Sequence, residues 1–421
     1  MKVLIQPKPL KGTVFVPPSK SQAHRAIIAA SLSKGKSVIS NIEYSEDIVA
    51  TIGAMEKIGA KFIRNTAHLI VSGVSKVSIS DDNFIECNES GSTLRFVLPI
   101  LSLSKEKVVF TGKRSLIQRP MNIYEDMFRR LNLAFIRNDD SIIINGSLTS
   151  GTYDVPGNVS SQFFSGLLFS LPLVKGDSKI NIVGKLESKQ YIDMTIDVVR
   201  QFGIMIDETA YGYFVRGGQS YHPCNITVEG DYSQMAFFAV ASALNGDIVC
   251  RGVPLVSKQP DRLITDYMSK MNCDFTFHDN SIHFHKSSPI AAEIDVSQCP
   301  DIAPILAILA SLSQGTTLIS GAARLKIKES NRLQSVYDTL IKFGVQAELG
   351  DDFLKIQGRT DLNGGIFDSF NDHRIVMSVA IASVRANHPV IIKNAEAVNK
   401  SYPSFFEVLE HLGADITYIE E

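Results

Sequence analysis

Seven cations stand where apolar helical patterns begin: Lys20, Arg25, Arg119, Lys328, Arg332, Arg374 and Lys400. Arginine grips phosphate or carboxylate through two parallel N–H bonds, and lysine acts as a mobile point charge or proton donor. Any one of them alone would be an ordinary surface ion-pair partner. Gathered without a partner, they would repel one another and resist desolvation. A ligand carrying several negative charges would offset that cost, so the set reads as an anion site. Two carboxylates lie in this basic company, Asp301 and Glu329. Each has two readings. One is a helix-start acid or cap that complements the helix dipole. The other is proton transfer beside a bound anion. Spacing does not choose between them. Ser45, Asp47 and Ser233, at similar junctions, read as helix caps.

The elements that must position these groups follow from an internal repeat. A turn followed by a β-branched run recurs as GKSVISN at 35–41, KEKVVFT at 105–111 and GDSKINI at 176–182, then as GDIVCRG at 246–252, GTTLISG at 315–321 and NHPVIIK at 387–393. The turn positions are 70, 71, 70, 69 and 72 residues apart, so six similar units fill the chain. Four turns begin with Gly and one with Asn, which tolerate the left-handed conformation that ends a helix. The runs after them favour strands. Each unit also has a second helix. Leu333, Val336, Leu340 and Phe343 recur at helical spacing over 332–344, as do Ile48, Ile52, Met55 and Ile58 over 47–59. Helix and strand therefore alternate, an α/β (α+β) class rather than a helical solenoid.

Composition narrows the function. Lys and Arg number 42 against 44 Asp and Glu, a net charge of −2, so nothing draws the whole chain to nucleic acid or to a membrane surface. The five cysteines, Cys87, Cys224, Cys250, Cys273 and Cys299, are scattered, with no C-x-x-C pair. They suggest neither a disulfide framework nor a zinc site, and point to reduced thiols in the cytoplasm. The apolar run at the N-terminus is broken by Pro7 and Pro9, and no signal peptide is expected. The stretch 302–312 is too short to span a membrane.

The phrases holding these residues resemble the EPSP synthase family, the 3-phosphoshikimate 1-carboxyvinyltransferases. The matching segments are PPSKSQAHR at 17–25, ESGSTLR at 89–95, SLIQRPM at 115–121, SSQ at 160–162 and LESKQYID at 186–193. They continue with Pro300-Asp301, KESNR at 328–332, NDHR at 371–374 and KSYPSFF at 400–406. They run in the family's order over nearly the whole chain. The resemblance implies two similar domains, each of three βαβαββ units, with the active site in the interdomain cleft. It implies a first domain over 19–228 and a second over 1–18 plus 229–421. It places phosphoenolpyruvate near Lys20, Gly91, Arg119, Arg332, Arg374 and Lys400. It places shikimate 3-phosphate near Ser21, Arg25, Ser160, Ser161, Gln162, Ser188, Tyr191, Asp301 and Lys328. The implied reaction needs no metal or organic cofactor. A substrate hydroxyl adds to the central carbon of phosphoenolpyruvate, the methylene carbon is protonated, and phosphate and a methyl proton then leave. Glu329, Asp301 and Lys20 are the residues implied for the proton transfers. The partners implied are these two small molecules, with no nucleic acid or membrane, and the family-level expectation is a monomer.

The chain departs from the family pattern at three places. Glu89 stands where Asn is usual, and a carboxylate there would repel substrate unless paired or turned away. Arg324 stands where Asn or His is usual, and Pro18-Ser19 precede the lysine in place of Gly-Asp or Ser-Asp. Two other functions compete. The UDP-N-acetylglucosamine enolpyruvyl transferases share the fold but usually carry a cysteine in the loop matching 112–119, which has none here. A non-catalytic repeat protein that binds anions would not require Lys20, Asp301, Glu329, Arg332, Arg374 and Lys400 together.

Overall fold

The computed structural model describes residues 1–66, 68–79 and 82–419. Its strands form six four-stranded sheets that share one plan. In one, Phe84–Glu86 runs parallel to Val108–Thr111, which pairs antiparallel with Ser141–Asn145, itself paired antiparallel with Ala134–Arg137. A parallel pair needs a crossover, and the helix Gly91–Leu101 supplies it. A second helix, Asn122–Arg130, leads into the hairpin. Ile142 and Ile144 are buried while Ile143 between them is half-buried, the period of two that gives a sheet one core face.

The two helices of each repeat differ in kind. The crossover helix is apolar on all sides and lies inside. Every residue from Tyr232 to Leu244 of the helix Tyr232–Asn245 is buried, and Ala303–Ser311 and His373–Ala382 are enclosed throughout. The second helix is amphipathic. Arg332–Lys342 buries Leu333, Val336 and Leu340 and leaves its other side to solvent. Both helices expected at 47–59 and 332–344 form, as Glu46–Glu56 and Arg332–Lys342. All six β-branched runs form strands. The expectation of left-handed turns holds at Gly35, Gly176 and Gly315, where φ is 132°, 93° and 103°. It fails at Gly246 and Asn387. Gly246 is extended because its helix passes straight into the strand Gly246–Arg251, and a Cβ there would lie 2.5 Å from the Leu10 carbonyl oxygen. Asn387 acts through its side chain, which accepts the Gly364 amide at 3.1 Å.

The chain divides into two compact units, Pro18–Val228 and Met1–Pro17 with Glu229–Glu421. Each holds three sheets and its own core. Strand exchange explains the division. Ile226–Thr227, after the third repeat, supplies the parallel edge strand beside Gly35–Ser40 of the first. Leu10–Phe15 does the same for Gly246–Arg251. Lys2–Gln6 completes the last sheet between Val390–Lys393 and Asp415–Ile419.

Two glycines give opposite expectations for stability. At Gly358 a Cβ would fall 1.6 Å from the Ser313 carbonyl oxygen, so the backbone must move. Gly358→Ala should destabilise its unit by about 1–3 kcal/mol. Gly53, inside the helix Glu46–Glu56, has nothing within 4 Å of such a Cβ. Gly53→Ala should stabilise by about 0.5–1 kcal/mol. Urea unfolding of the two variants reads both signs.

Candidate active site

In the unit containing Glu229–Glu421, one guanidinium organises the polar residues. Arg332 opens the helix Arg332–Lys342 and is 1% exposed. Its Nε donates to Asp372 Oδ2 at 2.8 Å and its Nη2 to Asp372 Oδ1 at 3.2 Å. Its Nη1 donates to Asp301 Oδ1 at 3.0 Å, and Nη2 also pairs with Glu329. Asp301 is shared further, with Lys328 Nζ at 3.0 Å and Arg374 Nη2 at 3.6 Å. Burial works to raise the Asp301 pKa, but Lys328, Arg374 and Arg332 outweigh it and hold the carboxyl well below its usual range. Burial pushes the Lys328 ammonium down, against the pull of Asp301 and with Arg332 and Arg324 adding to the effect. For Arg332, burial is outweighed by Asp372, Glu329 and Asp301, and its pKa rises.

Arg374 begins a buried helix and is itself buried. Its Nη2 donates to Ser233 Oγ at 3.0 Å, and that hydroxyl donates to Asp231 Oδ1 at 2.6 Å. Its Nη1 is enclosed and has no hydrogen-bond acceptor among the described residues. A buried charged donor left unpaired is costly, so this nitrogen is poised for an anionic acceptor. Lys400 Nζ donates to the Asn371 carbonyl at 2.5 Å.

In the unit Pro18–Val228, the helices Lys20–Ser31, Gly91–Leu101 and Ser161–Ser170 begin with the residues named above. Helix starts present unpaired N–H groups and favour anions. Lys20 Nζ pairs with Asp47 Oδ2 at 2.7 Å. Arg25 is 2% exposed, and its hydrogen bonds go to neutral oxygens: Thr195 Oγ1 at 2.7 Å, the Ser21 carbonyl at 2.5 Å and the Tyr191 carbonyl at 2.9 Å. Burial among neutral partners lowers its pKa to about 9. His24, buried beside it, is held neutral by burial and by the charges of Lys20 and Arg25.

Gly91, Arg119, Arg95 and Gln162 meet closely. A Cβ on Gly91 would lie 2.9 Å from Arg119 Nη1, 3.5 Å from Arg95 Nη1 and 3.7 Å from Gln162 Oε1. A Cβ there would push the Arg119 guanidinium out of its present position. Gln162 accepts from Arg95 Nη1 at 2.8 Å and donates to Ser92 Oγ at 3.0 Å. Ser160 caps the following helix through the Gln162 amide, and Ser161 is buried in its first turn. Ser188 is fully buried in the left-handed region, φ 55°, just before the helix Lys189–Gln201. A serine held there is strained, as residues at functional sites often are. Tyr191 reaches the group through its carbonyl on Arg25, and its side chain is part-exposed.

Several readings of single residues change. Asp47 and Ser233 are not caps: Asp47 is the partner of Lys20, Asp231 caps the helix Tyr232–Asn245, and Ser233 contacts Arg374. Ser45 does stand at a helix start but makes no capping hydrogen bond. Glu329 lies before the helix, whose cap is Asn331, and turns to Arg332. Glu89 is paired, its carboxylate buried 3.4 Å from Lys113 Nζ. Arg95 and Asp372 had no role assigned from spacing. Both sit inside quoted motifs, and that was the only signal: their partners Gln162 and Arg332 are 67 and 40 residues away.

Comparison with known proteins agrees with the motifs. The family model described as EPSP synthase (3-phosphoshikimate 1-carboxyvinyltransferase) matches residues 4–409. The 3-phosphoshikimate 1-carboxyvinyltransferase of Clostridium kluyveri is 44% identical over 417 residues, 98% of each chain. That of Clostridium perfringens strain 13 is 46% identical over 416 residues, again 98% of each. The solved structure of the EPSP synthase from Acinetobacter baumannii superposes with a TM-score of 0.83 at 26% identity, covering 99% of this chain and 100% of the other.

Removing one partner of a buried pair leaves an uncompensated charge. Asp372→Ala should therefore cost about 3–5 kcal/mol in its unit, read by urea unfolding. Asp301 adds an acid dependence. Its folded pKa lies below the unfolded one, so its contribution is full above the unfolded value, about 3.9, and fades as pH falls below it. Asp301→Asn should flatten the loss of stability below about pH 4.

Proposed function

The chain belongs to the EPSP synthase family, and from that premise we propose how its residues divide the work of a 3-phosphoshikimate 1-carboxyvinyltransferase. The reaction moves the enolpyruvyl group of phosphoenolpyruvate to the 5-hydroxyl of shikimate 3-phosphate and releases inorganic phosphate. It belongs to the shikimate route to chorismate and the aromatic amino acids. In the unit Pro18–Val228, Ser21, Arg25, Ser160, Ser161, Gln162, Ser188 and Tyr191 hold shikimate 3-phosphate. Asp301 and Lys328 are assigned to the same substrate. Lys20, Gly91, Arg119, Arg332, Arg374 and Lys400 hold phosphoenolpyruvate.

The observation that carries this assignment is the buried Arg374 Nη1, which has no acceptor among the described residues, beside Asp301 and the guanidinium of Arg332. A phosphate or carboxylate oxygen would satisfy that donor. In the first step the sugar-like hydroxyl oxygen bonds to the central carbon of phosphoenolpyruvate while the methylene carbon gains a proton. Asp301 is assigned acceptance of the hydroxyl proton; its cations keep it ionised and also lower its basicity. Glu329, aided by Lys20, delivers the proton to the methylene carbon and removes one from the methyl group later. The carbon–oxygen bond to phosphate then breaks, and the leaving dianion is stabilised by Lys400 and the arginines. No step requires a metal or an organic cofactor. The free thiols fit a reducing compartment, and we read the protein as a cytoplasmic monomer, which sedimentation analysis checks. Among the described residues no helix is long and apolar enough to cross a membrane.

Phosphate release that depends on both substrates tests the assignment directly; release with either substrate alone, or none with both, overturns it. Glu329→Gln should lower kcat by about 10²–10⁴-fold, with a much smaller change in KM. Arg374→Gln should raise the KM for phosphoenolpyruvate more than that for shikimate 3-phosphate. Equal effects on the two would move Arg374 out of the phosphoenolpyruvate site.

A further inference from the structure

The sheet containing Gly246–Arg251 packs one face on the core through Ile248, Cys250, Ile282 and Phe284. On its other face three potential ligands come together. Asp247 is the register partner of His285, and His283 lies two residues away on the same strand, Ser281–His285. The strand period of two sends both imidazoles to one side. His283 Nε2 is 2.6 Å, and His285 Nδ1 3.4 Å, from the same atom, Asp247 Oδ1. The ring centroids are 4.0 Å apart, and one ligand atom from each of the three residues lies within 4.8 Å of the others. Ligand atoms around tetrahedral zinc are roughly 3.3 Å apart, given metal–ligand bonds of about 2.0–2.1 Å. Small side-chain rotations therefore reach that geometry.

We propose that Asp247, His283 and His285 form a surface binding site for a divalent transition-metal ion, with zinc as the reference ligand. Two imidazoles and a carboxylate suit Zn²⁺, Ni²⁺ or Cu²⁺, whereas Ca²⁺ and Mg²⁺ require oxygen ligands. Water completes the coordination. Two cations lie near the site: Lys11, the register partner of Asp247 on the neighbouring strand, and Lys286, just past the histidine strand, which donates to Asn245 Oδ1 at 3.2 Å. A bound ion would pin Gly246–Arg251 to Ser281–His285 and stabilise this unit by mass action. The three residues are separate from the groups assigned to the transferase reaction, so the site is not required for turnover.

Calorimetric titration of the metal-stripped full chain with Zn²⁺ tests the proposal. One equivalent should bind, and the thermal midpoint should rise with zinc. The double variant H283A/H285A should bind at least about 100-fold more weakly, beyond the cost of losing an outer-shell partner, and show no thermal shift, with turnover unchanged. His285→Gln alone, a milder surface change, should weaken binding at least about tenfold. No saturable binding at one equivalent, or equal affinity in either variant, overturns the site.

Discussion

A guanidinium with almost no access to water, Arg332, binds three carboxylates from three stretches of chain. Alone, a cation at that depth would not be tolerated, and neither would Asp372, which is fully buried. Each is stable because of the other. The pairing fixes where the segments 301, 328–332 and 371–374 sit, and it draws Lys328 and Arg374 in through Asp301. Asp301 is consequently an anion surrounded by three cations.

The scaffold makes such a cluster possible by burying its crossover helices beyond their first turns. Such a helix ends where the core ends, and its first turn then stands at the boundary, where caps such as Ser160 and Asp231 pair only part of its N–H groups. Six repeats supply six such starts. Those at Lys20, Gly91, Ser161 and His373 carry assigned residues in or beside their first turns. The amphipathic second helices contribute the rest, through Arg332 and the strained turn at Ser188. The repeat is thus both architecture and a means of delivering polar groups to fixed positions.

Much of this could be read from the residues. The 70-residue rhythm located all six β-branched strands, because a turn followed by such residues has few other local solutions. The cation set was legible because cations gathered at apolar helix starts require anionic partners. Pairings were not legible. Asp47 looked like a helix cap, and its role as the Lys20 partner depends on a contact across 27 residues. Asp372 was hidden in the same way, since a buried carboxylate and a cap share one local signature. Glu89 seemed to threaten the anion site until Lys113, on a neighbouring loop, proved to cover it. The edge strand Ile226–Thr227 also escaped detection, because a strand of two residues carries no periodic signal of its own.

The exchanged strands bear on the order in which the chain can fold as it leaves the ribosome. Residues 18–228 form a contiguous stretch, and everything their three sheets require has emerged by Val228. The first strand, Lys2–Gln6, lies between Val390–Lys393 and Asp415–Ile419, so it must wait for almost the entire polypeptide to be made. Vectorial synthesis therefore imposes a sequence: the inserted unit matures early, while Lys2–Gln6 stays unpaired until Val390–Lys393 and Asp415–Ile419 have emerged.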